Sequence, residues 1–147
     1  MITFILKGKP IPQHRPRACR RGSYIHMYSD QEVIMEQYKN QIRSDFQQNP
    51  FTVPIEVSAT FFFPIPKGTS KVRTSEMQAN ILKPMKRPDL DNLLKFILDC
   101  MNGIVYEDDS QVVSFGKVQK RYGDEGISVI HIEPLIHTRL VHDESDS

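Results

Sequence analysis

Apolar residues recur along the chain with two periods, and these periods predict the order of its elements. Period-two stretches indicate strands at 2–7, 54–63, 111–121 and 127–133. Apolar residues three or four positions apart indicate helices at about 30–48 and 89–102, and a short helix near 74–81. The alternation is clearest in one strand, where the residues of a single face are Ile55, Val57, Ala59, Phe61 and Phe63.

Local signals set the boundaries of these elements. Ser29 followed by Glu32 has the form of a capping box before the first long helix. The segment 122–126 suits a hairpin turn between the last two strands. We therefore expect an α/β (α+β) fold with a mixed four-stranded sheet and two main helices. It forms a single domain over 1–138, followed by an acidic, flexible tail at 139–147.

Composition restricts the class of protein and its compartment. Hydrophobic residues make up 39% and charged residues 25%, as in ordinary globular domains. No apolar run approaches the roughly 20 residues of a membrane-spanning helix, and the apolar start ends at Lys7, too early for a signal peptide. Cys19 and Cys100 form neither a metal motif nor a disulfide framework. We expect a cytoplasmic protein without membrane contact, with Cys100 in the core.

The net charge of +1 conceals a strong asymmetry. Residues 1–88 contain 14 basic and 6 acidic side chains, whereas residues 89–147 contain 5 basic and 12 acidic side chains. A basic first part therefore precedes an acidic second part. This arrangement indicates a polyanionic partner next to a cation site.

The acidic part contains a carboxylate pattern typical of metal sites. Asp91, Lys95 and Asp99 share one face of the helix at 89–102, and Asp89 can converge with Asp91 only from the helix boundary. The pair Asp108-Asp109 follows after a helix-stop signal. Carboxylates of this kind suit Mg²⁺, with Mn²⁺ as a substitute. Such an ion can neutralise a scissile phosphate and lower the pKa of the attacking water.

Simpler interpretations of the same residues remain open at this point. Asp89 is equally suited to capping the helix. An ion pair with Lys95 is favoured over metal binding for Asp99, and the acidic turn at 107–109 is typical of solvated turns. A second set of side chains, all cationic or imidazole groups, indicates phosphate contact: Lys9, His14, Arg15, Arg17, Arg20, Arg21, Lys83, Lys86 and Arg87. Lys117, Lys120 and Arg121 either extend this surface or are simply solvated.

Three stretches together resemble the RusA-like Holliday junction resolvase family. They are the opening Gly8-Lys9-Pro10-Ile11-Pro12-Gln13, the run Arg87-Pro88-Asp89-Leu90-Asp91-Asn92, and the run Tyr106-Glu107-Asp108-Asp109-Ser110-Gln111. The resemblance extends to about residue 133. It implies a Mg²⁺-dependent homodimeric endonuclease that makes paired nicks in four-way DNA junctions during recombination and repair. The longer segment at 67–86 and the tail inherit no role from it.

Carried onto this chain, the family pattern makes Asp89, Asp91 and Asp109 metal-binding catalytic residues and Lys95 the essential lysine. Asp108 is a further candidate ligand, and Asn92 and Asp99 are given supporting roles. Two other classes of function stay open on the residues alone. One is a non-catalytic module that binds branched DNA, and the other is a metal enzyme acting on a flap, on RNA or on another substrate.

Overall fold

A mixed four-stranded sheet forms the centre of the molecule. The computed structural model describes residues 1–13 and 21–136, and of residues 21–30 it describes the backbone alone. The strands are β1 (Ile2–Lys7), β2 (Ile55–Pro64), β3 (Val112–Gly123) and β4 (Ile127–Pro134). They lie in the order β1-β4-β2-β3, with β4 antiparallel to both of its neighbours and β2 parallel to β3. The predicted mixed sheet and the α+β class are confirmed.

The hairpin predicted between the last two strands is wrong. β2 lies between β3 and β4, and Phe62 is in register with Arg121 on one side and Ile127 on the other. The segment 124–126 therefore crosses the end of β2. A Cβ on Gly123 would come within 2.9 Å of the Phe62 ring, so the close approach requires glycine. Turn residues predict a reversal of the chain but cannot tell which strands pair across it.

Three helices accompany the sheet, and their bounds differ from the predicted ones by unequal amounts. They are α1 (Arg21–Asp45), α2 (Lys71–Gln78) and α3 (Leu90–Met101). α3 agrees with its prediction within one residue at each end, and α2 starts at Lys71 because Ser70 caps it by accepting from the Arg73 N–H. The predicted start of α1 at about 30 is wrong. Ser29 lies inside the helix. A serine does not by itself mark a helix start, because short polar residues are tolerated in helix interiors.

The core lies between one face of the sheet and the helices α1 and α3. β2 alternates strictly between buried and half-buried side chains from Ile55 to Phe63, and its buried residues belong to the same core as those of α1 and α3. Tyr38 of α1 meets Phe96 of α3 edge to face, with ring centroids 5.4 Å apart. Cys100 is fully buried, which confirms its predicted place in the core, and burial raises the pKa of its thiol to about 12.

Several predictions concern residues outside the described part of the chain. These are the candidate phosphate contacts His14, Arg15, Arg17 and Arg20, the Arg21 side chain, and the tail at 139–147 together with the boundary at 138. Within residues 1–13 and 21–136, no helix has the length and apolar character needed to cross a bilayer.

Gly126 provides a test of the connection between β3 and β4. A Cβ there would meet the Lys9 Cα at 2.7 Å and the Lys9 nitrogen at 2.9 Å. We expect Gly126→Ala to lower the free energy of unfolding by about 1–3 kcal/mol, because the obstacle is backbone. Urea unfolding measures the change. Gly116→Ala is the comparison, since the new Cβ would meet the Ser58 hydroxyl, which can rotate away. An equal or larger loss for Gly116→Ala would contradict the prediction.

Candidate active site

Asp89 lies directly at the start of α3. Its backbone is extended, with φ −72° and ψ 145°, and its carbonyl accepts the first helical hydrogen bond from the Leu93 N–H at 3.2 Å. The Asp89 carboxylate makes no capping hydrogen bond, and it is exposed. The helix boundary that a shared site requires is therefore present. The alternative role, in which Asp89 serves only as a cap, is not realised.

The exposed face of α3 carries the other charged candidates. Lys95 and Asp99 approach to 3.9 Å, which confirms the predicted ion pair, although the distance is long and the Lys95 side chain is 63% exposed. Asp91 is exposed and accepts from the Asn92 N–H at 2.9 Å. The opposite face is buried, and Leu90, Leu94 and Leu98 at its edge are partly buried. The fully buried residues are Leu93, Phe96, Ile97, Cys100 and Met101.

The two adjacent aspartates of the acidic turn have different environments. Asp108 caps the short 3-10 turn Asp109–Gln111 and accepts from the Ser110 N–H at 3.2 Å. Hydrogen bonds from the Ser110 side chain and then from its backbone lower the pKa of Asp108. Asp109 is exposed, and its carboxylate has no hydrogen-bonding or ion-pair partner among the described residues. Its carboxylate is therefore the one open to a ligand.

Gln111 holds the acidic turn in place with a single side chain. Its Oε1 accepts from the Glu107 N–H at 2.9 Å and the Asp108 N–H at 3.0 Å. Its Nε2 donates to the carbonyls of Phe51 at 2.7 Å and Val53 at 3.1 Å. Both donors and both acceptor sites of the amide are used. Gln111 therefore joins the turn to the segment before β2, a role that residue spacing did not reveal.

Tyr106 connects the acidic turn to α3. Its ring is fully buried, and its hydroxyl donates to the Leu98 carbonyl at 2.7 Å. Burial raises the pKa of this hydroxyl, and the negative charges of Asp109 and Asp99 raise it further. Tyr106 therefore joins the segment that leads into the acidic turn to α3.

The basic segment before Asp89 is exposed and is fixed by a residue of β3. Lys83, Lys86 and Arg87 are all exposed, and Lys83 donates to the Asn80 carbonyl at 2.8 Å. Lys120 donates to the carbonyls of Lys86 at 2.9 Å and Pro88 at 3.0 Å. The role of Lys120 was open on the sequence, and the structure gives it two contacts within the protein.

Arg121 and Lys117 differ in whether their side chains have a partner within the described part of the protein. Arg121 lies over the Phe62 ring, 5.8 Å from its centroid, so it also has a partner within the protein. Lys117 is exposed, and it has no ion pair or hydrogen bond within the described residues. Lys117 therefore has a side chain left free for phosphate.

The start of the basic loop is attached to α3. The Gln13 N–H donates to the Asn92 carbonyl at 3.0 Å, and the Tyr38 hydroxyl donates to the Lys9 carbonyl at 3.3 Å. Asn92 therefore supports the loop through its backbone. Lys9 itself is exposed. The chain enters the segment that carries His14 and Arg15 directly from this attachment.

The chemistry of the candidate ligands suits a hard cation, although the side chains do not form a closed set. Asp89, Asp91 and Asp109 offer exposed carboxylate oxygens, the ligands that Mg²⁺ prefers. In the described ranges, no three His, Cys, Asp or Glu side chains come together as a complete ligand group. Mg²⁺ usually keeps several waters and binds through one or two carboxylates and substrate phosphates. Such open coordination is compatible with separated aspartates.

Comparisons with known proteins show which family this chain belongs to. The model of the family described as endodeoxyribonuclease RusA matches residues 7–133. The Bacillus subtilis (strain 168) protein YqaN, described as uncharacterized, is 34% identical over 130 residues, which cover 84% of this chain and 89% of that protein. A Lactococcus phage r1t protein, described as crossover junction endodeoxyribonuclease rusA, is 37% identical over 95 residues, or 64% of this chain and 60% of that protein. The chain belongs to the RusA family of endodeoxyribonucleases.

Proposed function

We propose that this chain is a Mg²⁺-dependent endodeoxyribonuclease that resolves four-way DNA junctions by paired cleavage, with Mn²⁺ as a substitute ion. It would act as a homodimer in the cytoplasm, in DNA recombination and repair. The observation that carries the proposal is the pair of exposed carboxylates, Asp89 and Asp109, which no cap or ion pair occupies among the described residues. They lie on either side of Lys95 in the sequence of a chain of the RusA family.

In this proposal the three exposed aspartates would hold the cation. Asp89 and Asp91 approach from the start of α3, and Asp109 approaches from the turn that Gln111 fixes. When bound, Mg²⁺ would supply charge neutralisation at the scissile phosphate and activation of water. Asp108 is left with a structural role, because its carboxylate caps the turn.

Lys95 provides a positive charge that can turn toward the phosphate. Its ion pair with Asp99 is 3.9 Å long and exposed, so little free energy opposes its breaking. A lysine ammonium can stabilise charge on the phosphoryl oxygens during cleavage. Asp99 would then hold Lys95 near the site between turnovers, which is the supporting role assigned to it.

The basic residues supply the DNA contacts. Lys9, Lys86 and Arg87 are exposed, and none has an acidic partner within the described residues. Phosphate contacts by such side chains dominate the affinity of proteins for DNA. A homodimer with two-fold symmetry would present two copies of the site to opposed strands of a four-way junction. Paired nicking follows from that symmetry.

The metal assignment is tested by incubating a labelled four-way junction with the protein and Mg²⁺. We expect Asp91→Asn to reduce the cleavage rate by more than about 100-fold, as expected when a main electrostatic element of a site is lost. Asp124→Asn is the control, because Asp124 is an exposed carboxylate on the connection between β3 and β4. An Asp91→Asn protein that cuts at the normal rate would overturn the assignment.

The same assay separates the rival functions. A module that only binds branched DNA would bind the junction in EDTA and give no product when Mg²⁺ is added. A different metal nuclease would cut flap, duplex or RNA substrates faster than the four-way junction. The proposal requires the four-way junction to be cut fastest, with nicks in two opposed strands.

Gln111 provides a test of how the acidic turn is held. Gln111→Met removes four hydrogen bonds and leaves backbone groups without partners, so we expect a loss of about 1–3 kcal/mol in unfolding free energy. Because Asp109 follows the released residues, the cleavage rate at limiting Mg²⁺ should fall as well. Gln119→Met, within β3, is the control, since the Gln119 side chain makes a single hydrogen bond among the described residues, a 3.3 Å contact with Thr60. Equal effects of the two substitutions would contradict this role.

Salt dependence tests the basic segment. Lys86 and Arg87 lie directly before Pro88 and Asp89, so we expect each to contact one phosphate. The double substitution Lys86→Gln/Arg87→Gln should reduce the slope of log affinity against log salt by about two. Filter binding in EDTA measures the slope. Arg43→Gln is the control, because Arg43 is already paired with Glu36 at 2.9 Å. An unchanged slope in the double variant would remove these residues from the DNA surface.

A further inference from the structure

Lys120 lies on β3 but reaches the segment that precedes the first candidate catalytic aspartate. It is in register with Phe61, so it projects from the face of the sheet that the helices cover. Its Nζ donates to the carbonyls of Lys86 and Pro88, 34 and 32 residues away in sequence. We propose that Lys120 is a positioning residue for Asp89, which extends the proposed function to a residue outside the acidic pattern.

The bonding of Lys120 differs from that of a surface lysine. An ammonium group has three donors, and two of them are used by backbone carbonyls. The side chain is half-buried, and it has no carboxylate partner within the described residues. Hydrogen bonds from a charged donor are stronger than neutral ones. The two bonds therefore form a firm attachment between β3 and residues 86–88, named here the Lys120 tether.

The Lys120 tether holds the backbone directly before Asp89. The Pro88 carbonyl belongs to the peptide that leads into Asp89. Because the Asp89 carboxylate makes no capping hydrogen bond, the position of its backbone sets the region that the carboxylate can reach. Lys120 thereby restricts where this carboxylate lies relative to Asp91. Residues that orient metal ligands in this way affect metal affinity or activity by about 10–100-fold.

A direct phosphate contact by Lys120 is the competing role. It predicts weaker junction binding without metal and a smaller salt slope when the charge is lost. The tether predicts normal binding in EDTA but a greater requirement for Mg²⁺. The two roles therefore differ in measurements that do not depend on each other.

The test compares Lys120→Met, Lys120→Arg and the control Lys67→Met in the full chain. Lys67 is an exposed lysine of the turn before α2, and its side chain makes no hydrogen bond or ion pair among the described residues. We expect Lys120→Met to raise the Mg²⁺ concentration needed for junction cleavage by about 10–100-fold. Its junction affinity in EDTA should stay unchanged. Lys120→Arg should restore much of the Mg²⁺ response, because it retains a charged donor, and Lys67→Met should match the unmodified chain.

Hydrogen exchange provides a readout that needs neither DNA nor metal. Amides in peptides covering 86–91 should exchange several-fold faster in Lys120→Met, while those of β2 and β4 keep their protection. Unchanged exchange at 86–91, or a normal Mg²⁺ requirement, would overturn the tether. Loss of affinity in EDTA with a salt slope smaller by about one would also overturn it, in favour of phosphate contact. If the unmodified chain cuts no junction, the proposed function fails, while the exchange comparison still decides the tether.

Discussion

The parallel pairing of β2 with β3 is the constraint on which the candidate site depends. Parallel neighbours cannot be joined by a tight turn and need a crossover, usually with a helix. Here the crossover spans residues 65–111 and contains α2 and α3. Asp89, Asp91, Lys95 and Asp109 all lie within it. The topology of the sheet therefore gathers residues that are up to 20 positions apart onto one connection, anchored by the same pair of strands.

The crossover is held by side chains that belong to β3 or directly precede it. Gln111 lies just before the strand and fixes the acidic turn, and Lys120 lies near the far end of the strand and fixes residues 86–88. Both act through backbone groups of the crossover. The carboxylates of Asp89 and Asp109 are consequently left free of structural hydrogen bonds in the described part of the chain. Asp108 takes the capping role that would otherwise occupy its neighbour.

The sequence was sufficient to predict the elements that hydrophobic periodicity and local boundary signals determine. Strict alternation in β2 and the amphipathic pattern of α3 predicted both elements, and the requirement that Asp89 lie at a helix boundary is met. The sequence could not predict which strands pair, because residues 122–126 are typical of a turn whichever strand lies next to them. Gln111 and Lys120 were missed for a related reason. Their partners are backbone carbonyls and N–H groups, which every segment has, so no complementary residue type marks the contact in the sequence.

The division of charge along the chain affects how the proposed site would bind DNA and a cation. The exposed aspartates of the crossover repel DNA phosphates, and the exposed Lys86 and Arg87 immediately before Asp89 offset that repulsion. A divalent cation on the aspartates would neutralise the repulsion further. Cation and DNA would then each favour binding of the other, and the coupling is reciprocal. Because Mg²⁺ takes phosphate oxygens as ligands together with carboxylates, aspartates that do not form a closed set can still share one ion once the substrate supplies the remaining ligands.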